Sequence, residues 1–511
     1  MPGSLLLGVD IGTSSSKGVL CTPEGDVLAS HAIEHETSFP RPGWAEHDAD
    51  AIWWGEFVRI CRVLLSGKYS GDDVGGVAVS AIGPCMLPVD AGDRPLRPGI
   101  LYGIDSRAQE EIAWLESRYG ADAMFDLNGM ALTSQAVGPK IRWLREHEPE
   151  LFAKTARIHS ASDYLVLRLT GEHVIDRHSA SYFVPLFDVR KLDWDDRFAD
   201  EVIGIDRLPH LLDADEIAGT VSARAAAGTG LAIGTPVTTG TIDAAAEAIS
   251  VGVTAPGDMM VIYGSTLFLI DLVAEPHPDR RMWTAAYCLP GVHAVTGSIT
   301  SSGLLTKWFR DQLGGAERAG GANAYQALAA LAAATPPGAD GLICLPYFAG
   351  ERTPLNDPDA RGVFAGLTLR HTRGHLYRAV LEAIGYGLRT NLEVMAEMNA
   401  APKRLVAVGG GTQSDVWTQI VSDVTGMAQI LPEKTVGASY GDALLAGLAT
   451  GIVDRATGID TWVRTKRVVA PNAANTAIHD RGYDIYRNLY LHARDDLHAL
   501  AQLDTAFDRP A

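Results

Sequence analysis

Apolar runs broken by small polar turns set the pattern at the start of the chain. Residues 5–20, LLLGVDIGTSSSKGVL, read as an apolar strand, a tight polar turn and a second strand opened by Lys17. After a turn at 22–26, residues 27–33 read as a third strand, which makes an antiparallel meander. A loop at 40–48 precedes an amphipathic helix over about 49–65. Residues 74–80 form an apolar strand with a turn at Gly83-Pro84 beyond it, and 100–102 are apolar again. Asp105-Ser106-Arg107 then leads into a helix. From 108 to about 230 the pattern is mostly helical and polar-faced, with a helix starting at 139, another over 159–169 and a polar turn at 176–180. Residues 234–242 read as a short strand that meets Asp243 and an alanine-rich helix.

The second half repeats this syntax. Residues 258–263 are a strand, Gly264-Ser265-Thr266 a small turn and 267–272 another strand. Two such units imply two related halves, divided as 1–250 and 251–511. Residues 298–308 lead into a helix carrying Gly303 and Lys307, and 375–398 form a long helix. A short buried strand at 405–408 runs into Gly409-Gly410-Gly411-Thr412 and a helix from Ser414. An alanine-rich helix follows Asp442, and the tail to 511 reads as a charged surface helix. Strands interleaved with helices indicate an α/β fold.

Several of these junctions carry candidate chemistry. Asp10 ends an apolar strand, where an unpaired carboxylate is costly to bury. Gly12 allows close backbone approach, and the N–H groups and hydroxyls of Thr13 and Ser14 can cradle phosphate oxygens. The alternative is a hairpin whose Asp and Ser residues satisfy their own turn. Asp243 sits where a strand becomes a helix, and strand ends line the crevices of open α/β sheets; the alternative is a helix cap. Strand, glycine triplet, helix suits a nucleotide lying against backbone, or else is a plain tight turn.

Composition narrows the classes. A chain of 511 residues with 47% hydrophobic and 21% charged residues can bury a large core in two or more domains. A net charge of −19 argues against a nucleic-acid surface, which needs a basic patch. It also requires any polyphosphate site to be shielded locally by Mg2+, lysine and backbone dipoles. Cys21, Cys61, Cys85, Cys288 and Cys344 have no CxxC spacing and read as reduced, mostly buried thiols of a cytoplasmic protein. The opening residues lack the features of a signal peptide. No stretch approaches the roughly 18 uninterrupted apolar residues of a membrane span.

Taken together the motifs resemble the FGGY carbohydrate kinase family of the actin-like ATPase-domain superfamily. Asp10-Ile-Gly-Thr-Ser14 resembles its first phosphate motif, and Pro139-Lys140-Ile141-x-Trp143-Leu144 its first signature. Gly362-Val-Phe364-Ala-Gly366-Leu367, followed by His375-Leu376 and Ala379-Val380-Leu381-Glu382, resembles the second; Gly409-Gly410-Gly411 resembles the adenosine motif. These stand in the family's order across nearly the whole chain. The resemblance implies two actin-like (ribonuclease H-like) domains with a cleft between them that closes on substrate. It implies ATP and Mg2+ as cofactors, a small sugar or polyol as partner, and is compatible with a homodimer.

Residue by residue, Asp243 matches the family's general base, and Asp10 the acidic residue near the metal and the transferred phosphoryl group. Gly12, Thr13, Ser14 and Lys17 match the first phosphate loop; Gly264, Ser265 and Thr266 match the second. Gly303, Lys307, Gly410, Gly411 and Ser414 match nucleotide positions. Asp105 and Arg107 match a neighbourhood near the sugar. The xylulokinase branch fits best, through Gly350-Glu351-Arg352-Thr353-Pro354 and Trp44-x-Glu46 with Trp53-Trp54. One departure matters: Ile82-Gly83-Pro84-Cys85 stands where that branch carries a Gln-Met-His-Gly run, so Gly83 and Pro84 occupy the sugar-contact positions. The resemblance thus implies a pentulose acceptor such as xylulose or ribulose. Glycerol, a tetritol or a hexulose stays open as acceptor, as does a non-catalytic ATP-binding sensor or chaperone-type module.

Overall fold

The computed structural model describes residues 3–315 and 323–507. They fall into two compact units, each discontinuous in sequence: Met1–Pro256 with Leu272–Ala294 and Lys434–Arg464, and Gly257–Asp271 with Val295–Glu433 and Thr465–Ala511. The expected division near residue 250 was linear; the actual one returns a late helix, 438–450, to the first unit.

In the first unit, β1 (Leu5–Ile11), β2 (Ser15–Cys21) and β3 (Val27–Glu34) form the expected antiparallel meander. Strand β4 (Val74–Ala81) pairs with β1 in parallel. Beyond it lie β5 (Ile217–Thr220) and β6 (Pro236–Thr238), while the short β7 (Thr241–Ile242) also pairs with β4 in parallel. Strand β1 is central, which is why LLLGVDI is apolar on both faces. Leu7, Val9, Leu20, Val77 and Val79 join Trp53 and Phe57 in one core. Helix α1 (Gly55–Leu64) follows a π-helical turn at Ala49–Trp54.

The stretch 108–230 differs from its mostly helical expectation. It carries helices such as α2 (Val137–His147), but also two- to four-residue strands including Arg157–His159, Val174–Asp176 and His210–Leu212. Strands this short leave no period for the pattern to show.

Helix α3 (Asp243–Ser250) starts directly at the end of β7. The second unit repeats the first unit's strand logic. Strands β8 (Asp258–Tyr263) and β9 (Leu267–Val273) form an antiparallel hairpin, and β10 (Arg404–Val408) pairs with β8 in parallel. Strand β11 (Gln429–Pro432) extends it in parallel, and β12 (Thr465–Val469) closes it antiparallel. Helices α4 (Gly303–Leu313), α5 (Arg373–Glu397) and α6 (Asp415–Thr425) belong to this unit.

Helix α7 (Ala438–Thr450) begins before Asp442 instead of after it. Gly8 of β1 and Gly441 of α7 explain its seat in the first unit. A Cβ on Gly8 would lie 2.0 Å from the Ser439 carbonyl, and one on Gly441 would lie 1.8 Å from the Ala246 carbonyl of α3. Only glycine permits these approaches. The tail helix α8 spans Thr476–Phe507, with 508–511 outside the described residues. It is not purely surface, because Tyr483, Tyr486 and Tyr490 are buried. No helix among the described residues is long and apolar enough to cross a membrane.

Candidate active site

Strand register builds the first unit's site. Ser80 of β4 lies opposite Asp10 of β1 on one side and opposite Thr241 of β7 on the other. Asp10 and Thr241 are therefore two strand spacings apart, about 10 Å. Asp243 follows Thr241 by two residues and opens α3, with Glu247 one turn further along. All sit at the carboxyl ends of parallel strands, the edge where α/β sheets place ligands. Asp442 of α7 reaches the same point: the Ser80 hydroxyl lies 3.1 Å from Asp10 Oδ1 and 2.8 Å from Asp442 Oδ2.

Burial dominates the electrostatics here. It pushes the Asp243 carboxyl up to about 7, with Glu247 adding repulsion against the lowering effect of the Ala244 N–H. Burial also raises Asp10 well above the usual carboxylate range, helped by the Asp243 charge and opposed by Ser80 and Lys17. Asp442 is raised likewise by burial and then by Asp10. Glu247 is raised by burial and held back by Lys17. Ser80 has one hydroxyl hydrogen between two carboxyl groups, so one of them must carry a proton to complete both contacts. Lys17 Nζ donates to the Val436 carbonyl at 2.6 Å, so this ammonium is anchored and acts on Asp10 and Glu247 through its charge.

The first hairpin turn has open donors. The Gly12 N–H closes the turn on the Ser15 carbonyl at 2.9 Å, whereas the N–H groups of Thr13 and Ser14 have no acceptor among the described residues. Two adjacent free amides make a concavity suited to an anion.

The expected sugar residues divide. A Cβ on Gly83 would lie 2.7 Å from the Ile242 side chain, so the cis Gly83-Pro84 turn packs beside the residue that precedes Asp243. Asp105 and Arg107 instead form an ion pair with no side-chain exposure on either partner. Asp105 also accepts the Ala45 N–H at 2.7 Å, and Arg107 pairs with Glu46 and stacks 3.9 Å over Trp44. The pair braces the 44–46 segment and leaves no side-chain surface for a sugar. Next to it, Lys140 is buried and donates to the Ser134 carbonyl at 2.7 Å; burial brings its ammonium down to about 8.

In the second unit, the Gly264–Thr266 turn is bonded to the start of α4. Gly303 N–H donates to the Gly264 carbonyl at 3.0 Å and Leu304 N–H to the Ser265 carbonyl at 2.9 Å. A Cβ on Gly303 would lie 2.4 Å from the Gly264 carbonyl, so this junction requires glycine. Lys307 is exposed on α4 and pairs with Asp311. After β10, Gly409 takes φ +90°, and a Cβ there would press on the Tyr263 backbone. Gly410 faces open space with nothing within 4 Å, while Gly411 packs on Trp417 and Tyr263. Ser414 caps α6 by accepting the Trp417 N–H. The triplet thus makes a backbone surface with room for a flat ligand at Gly410.

Glu247, Ser80 and Asp442 escaped the sequence reading. A serine inside an apolar strand and a glutamate one turn into a helix have no local signature. The only available signal was the i,i+4 spacing of Asp243 and Glu247, which puts both on one helix face.

Residues 5–250 match the N-terminal domain of the FGGY family of carbohydrate kinases, and residues 259–450 match its C-terminal domain. The chain is 31% identical over 494 residues to the xylulose kinase of Escherichia coli (strain K12), covering 95% of this chain and 98% of the relative. It is 29% identical over 459 residues to the gluconokinase of Bacillus subtilis (strain 168), covering 88% of each. A solved structure of xylulose kinase from Rhodospirillum rubrum superposes with a TM-score of 0.90 at 34% identity, covering 97% of this chain and 100% of that one.

Proposed function

The chain belongs to the FGGY family of carbohydrate kinases, and on that premise we propose that it phosphorylates a pentulose such as xylulose or ribulose, with Asp243 as general base. The observation that carries the assignment is Asp243 itself: a half-buried carboxyl at a strand end, raised to about 7 by desolvation. A base is most effective when its pKa lies near the operating pH. The acceptor hydroxyl gives its proton to Asp243 as its oxygen attacks the γ-phosphorus of ATP, and the bond from that phosphorus to the β–γ bridging oxygen breaks to release ADP. Phosphoryl transfer asks chiefly for positioning and charge neutralisation, which the open Thr13 and Ser14 amides supply as fixed donors. Ser265, Thr266 and the Gly410–Ser414 segment are the proposed nucleotide contacts of the second unit.

Among the described residues no group of three or more His, Cys, Asp or Glu side chains could hold a metal ion. Mg2+ binds through one or two carboxylates plus phosphate and water. Asp10 is the carboxylate proposed for it; the ion would neutralise phosphate charge.

A second reading, with glycerol, a tetritol or a hexulose as acceptor, is favoured by the Ile82-Gly83-Pro84-Cys85 run. This turn offers no imidazole or amide side chain, so the pocket differs from one that recognises a sugar through them. The proposed base is tested with Asp243→Ala. We expect ATP binding to persist and turnover to fall by at least ~100-fold, the usual scale for a positioned base. Near-normal turnover would remove the assignment.

A further inference from the structure

The first hairpin turn has every carbonyl tied down. Ser15 C=O accepts the Gly12 N–H, and Ser14 C=O accepts the His35 N–H at 3.0 Å. Thr13 C=O accepts the Thr37 hydroxyl at 2.9 Å, and Gly12 C=O faces His35 Nε2 at 3.2 Å. With all four carbonyls engaged, the amides of Thr13 and Ser14 have no acceptor among the described residues and stay open.

The groups behind these bonds form two short relays. His35 Nδ1 lies 2.8 Å from Glu56 Oε2. Glu56 also takes the Ser16 hydroxyl at 2.6 Å and Arg59 at 3.0 Å, so it is surrounded by donors and acts as an ionised acceptor. Both ring nitrogens of His35 thus face acceptors, a pattern that the doubly protonated ring satisfies and the neutral ring does not. In the second relay, the Trp53 indole N–H donates to His47 Nδ1 at 3.2 Å, so His47 Nε2 carries the hydrogen. It meets the Thr37 hydroxyl at 3.1 Å, whose own hydrogen goes to Thr13. His47 is therefore neutral, and burial with the neighbouring His35 charge holds its pKa down at about 4. The charged and titratable groups facing His35 are Glu56 from α1 and His47, whose ring centroid is 5.0 Å away.

We propose that His35, backed by Glu56, and Thr37, backed by His47, are positioning residues that fix the first phosphate hairpin with its amides free for a phosphate group. The inference rests on the reading of residues 12–15 as a phosphate turn.

The test uses the full-length protein with Thr37→Val and His35→Gln, and steady-state kinetics with MgATP and acceptor varied separately. Both variants are expected to fold, to keep the KM for acceptor, and to lose roughly 10- to 100-fold in kcat/KM for ATP, the scale of a misplaced binding group. Native ATP kinetics in both variants would overturn the proposal, as would parallel loss for ATP and acceptor. If His35→Gln does not fold, Thr37→Val decides by the same criteria. Asp243→Ala run alongside separates the two levels. An inactive Asp243→Ala with native-like Thr37→Val and His35→Gln defeats this inference alone, whereas an active Asp243→Ala defeats the catalytic reading beneath it.

Discussion

At the scale of the residue, the proposed chemistry turns on the protonation of one carboxyl. As the proposed base Asp243 works only as the carboxylate, and burial raises it to about 7. The rate should therefore rise with pH up to about 7 and level off above it. Glu247 contributes to that elevation through its charge. Glu247→Gln is expected to move the midpoint of the kcat/KM profile to lower pH, and an unmoved or raised midpoint would count against the coupling. These carboxyls titrate as a group, so the midpoint belongs to the cluster that also holds Asp10. Asp243 stood out in the sequence as a carboxylate at a strand-to-helix junction, where a helix cap is the alternative reading. Ser80 and Asp442 were not, because only β1–β4 register and the seat of α7 bring residues 10, 80 and 442 together. Asp105 and Arg107 were legible as a charged pair, but sequence spacing cannot tell a pair that faces a ligand from one that braces a loop.

At the scale of the element, small residues and buried charges set what each strand and helix tolerates. The meander, the second hairpin and the glycine triplet were readable because apolar runs and turn residues alternate cleanly there. The start of α7 was not, since Gly441 reads as a helix breaker until its contact with Ala246 is seen. Gly441→Ala forces a Cβ into that carbonyl, and overpacking of this kind costs about 1–3 kcal/mol. The expected readout is a lower melting temperature; an unchanged one would mean that α3 and α7 can separate freely. Gly410→Ala is the converse case. With open space around it the fold should be unaffected, while KM for ATP rises if a nucleotide lies against this backbone. Asp271 in β9 offers a third check. It is fully buried, neither oxygen has a hydrogen-bond partner, and burial with the Asp258 charge raises its carboxyl to about 8. Its folded pKa exceeds the unfolded value of 3.8, so its contribution to stability is complete below pH 3.8 and is lost as pH rises toward 8. Asp271→Asn is expected to flatten the dependence of melting temperature on pH between these limits, and an unchanged slope would contradict the buried neutral acid.

At the scale of the whole molecule, two units repeat one strand plan, an antiparallel hairpin with a third strand parallel to its first. That repeat was visible as duplicated syntax around Asp10 and Gly264, and the family comparison covers both halves. The discontinuous partition of the chain was not visible, because no local pattern announces that residues 434–464 pack with the first unit. Kinship fixes a carbohydrate kinase, and the relatives named above include both a xylulose kinase and a gluconokinase. The proposed place of acceptor choice is the first unit's strand ends, where the Gly83-Pro84 turn meets Ile242. The most direct measurement is ATP-coupled ADP release over xylulose, ribulose, glycerol, erythritol, fructose and gluconate, with the phosphorylated product identified. Turnover that depends on acceptor and is highest with a pentulose is expected. Release of ADP that is absent, or the same without any acceptor, would contradict it.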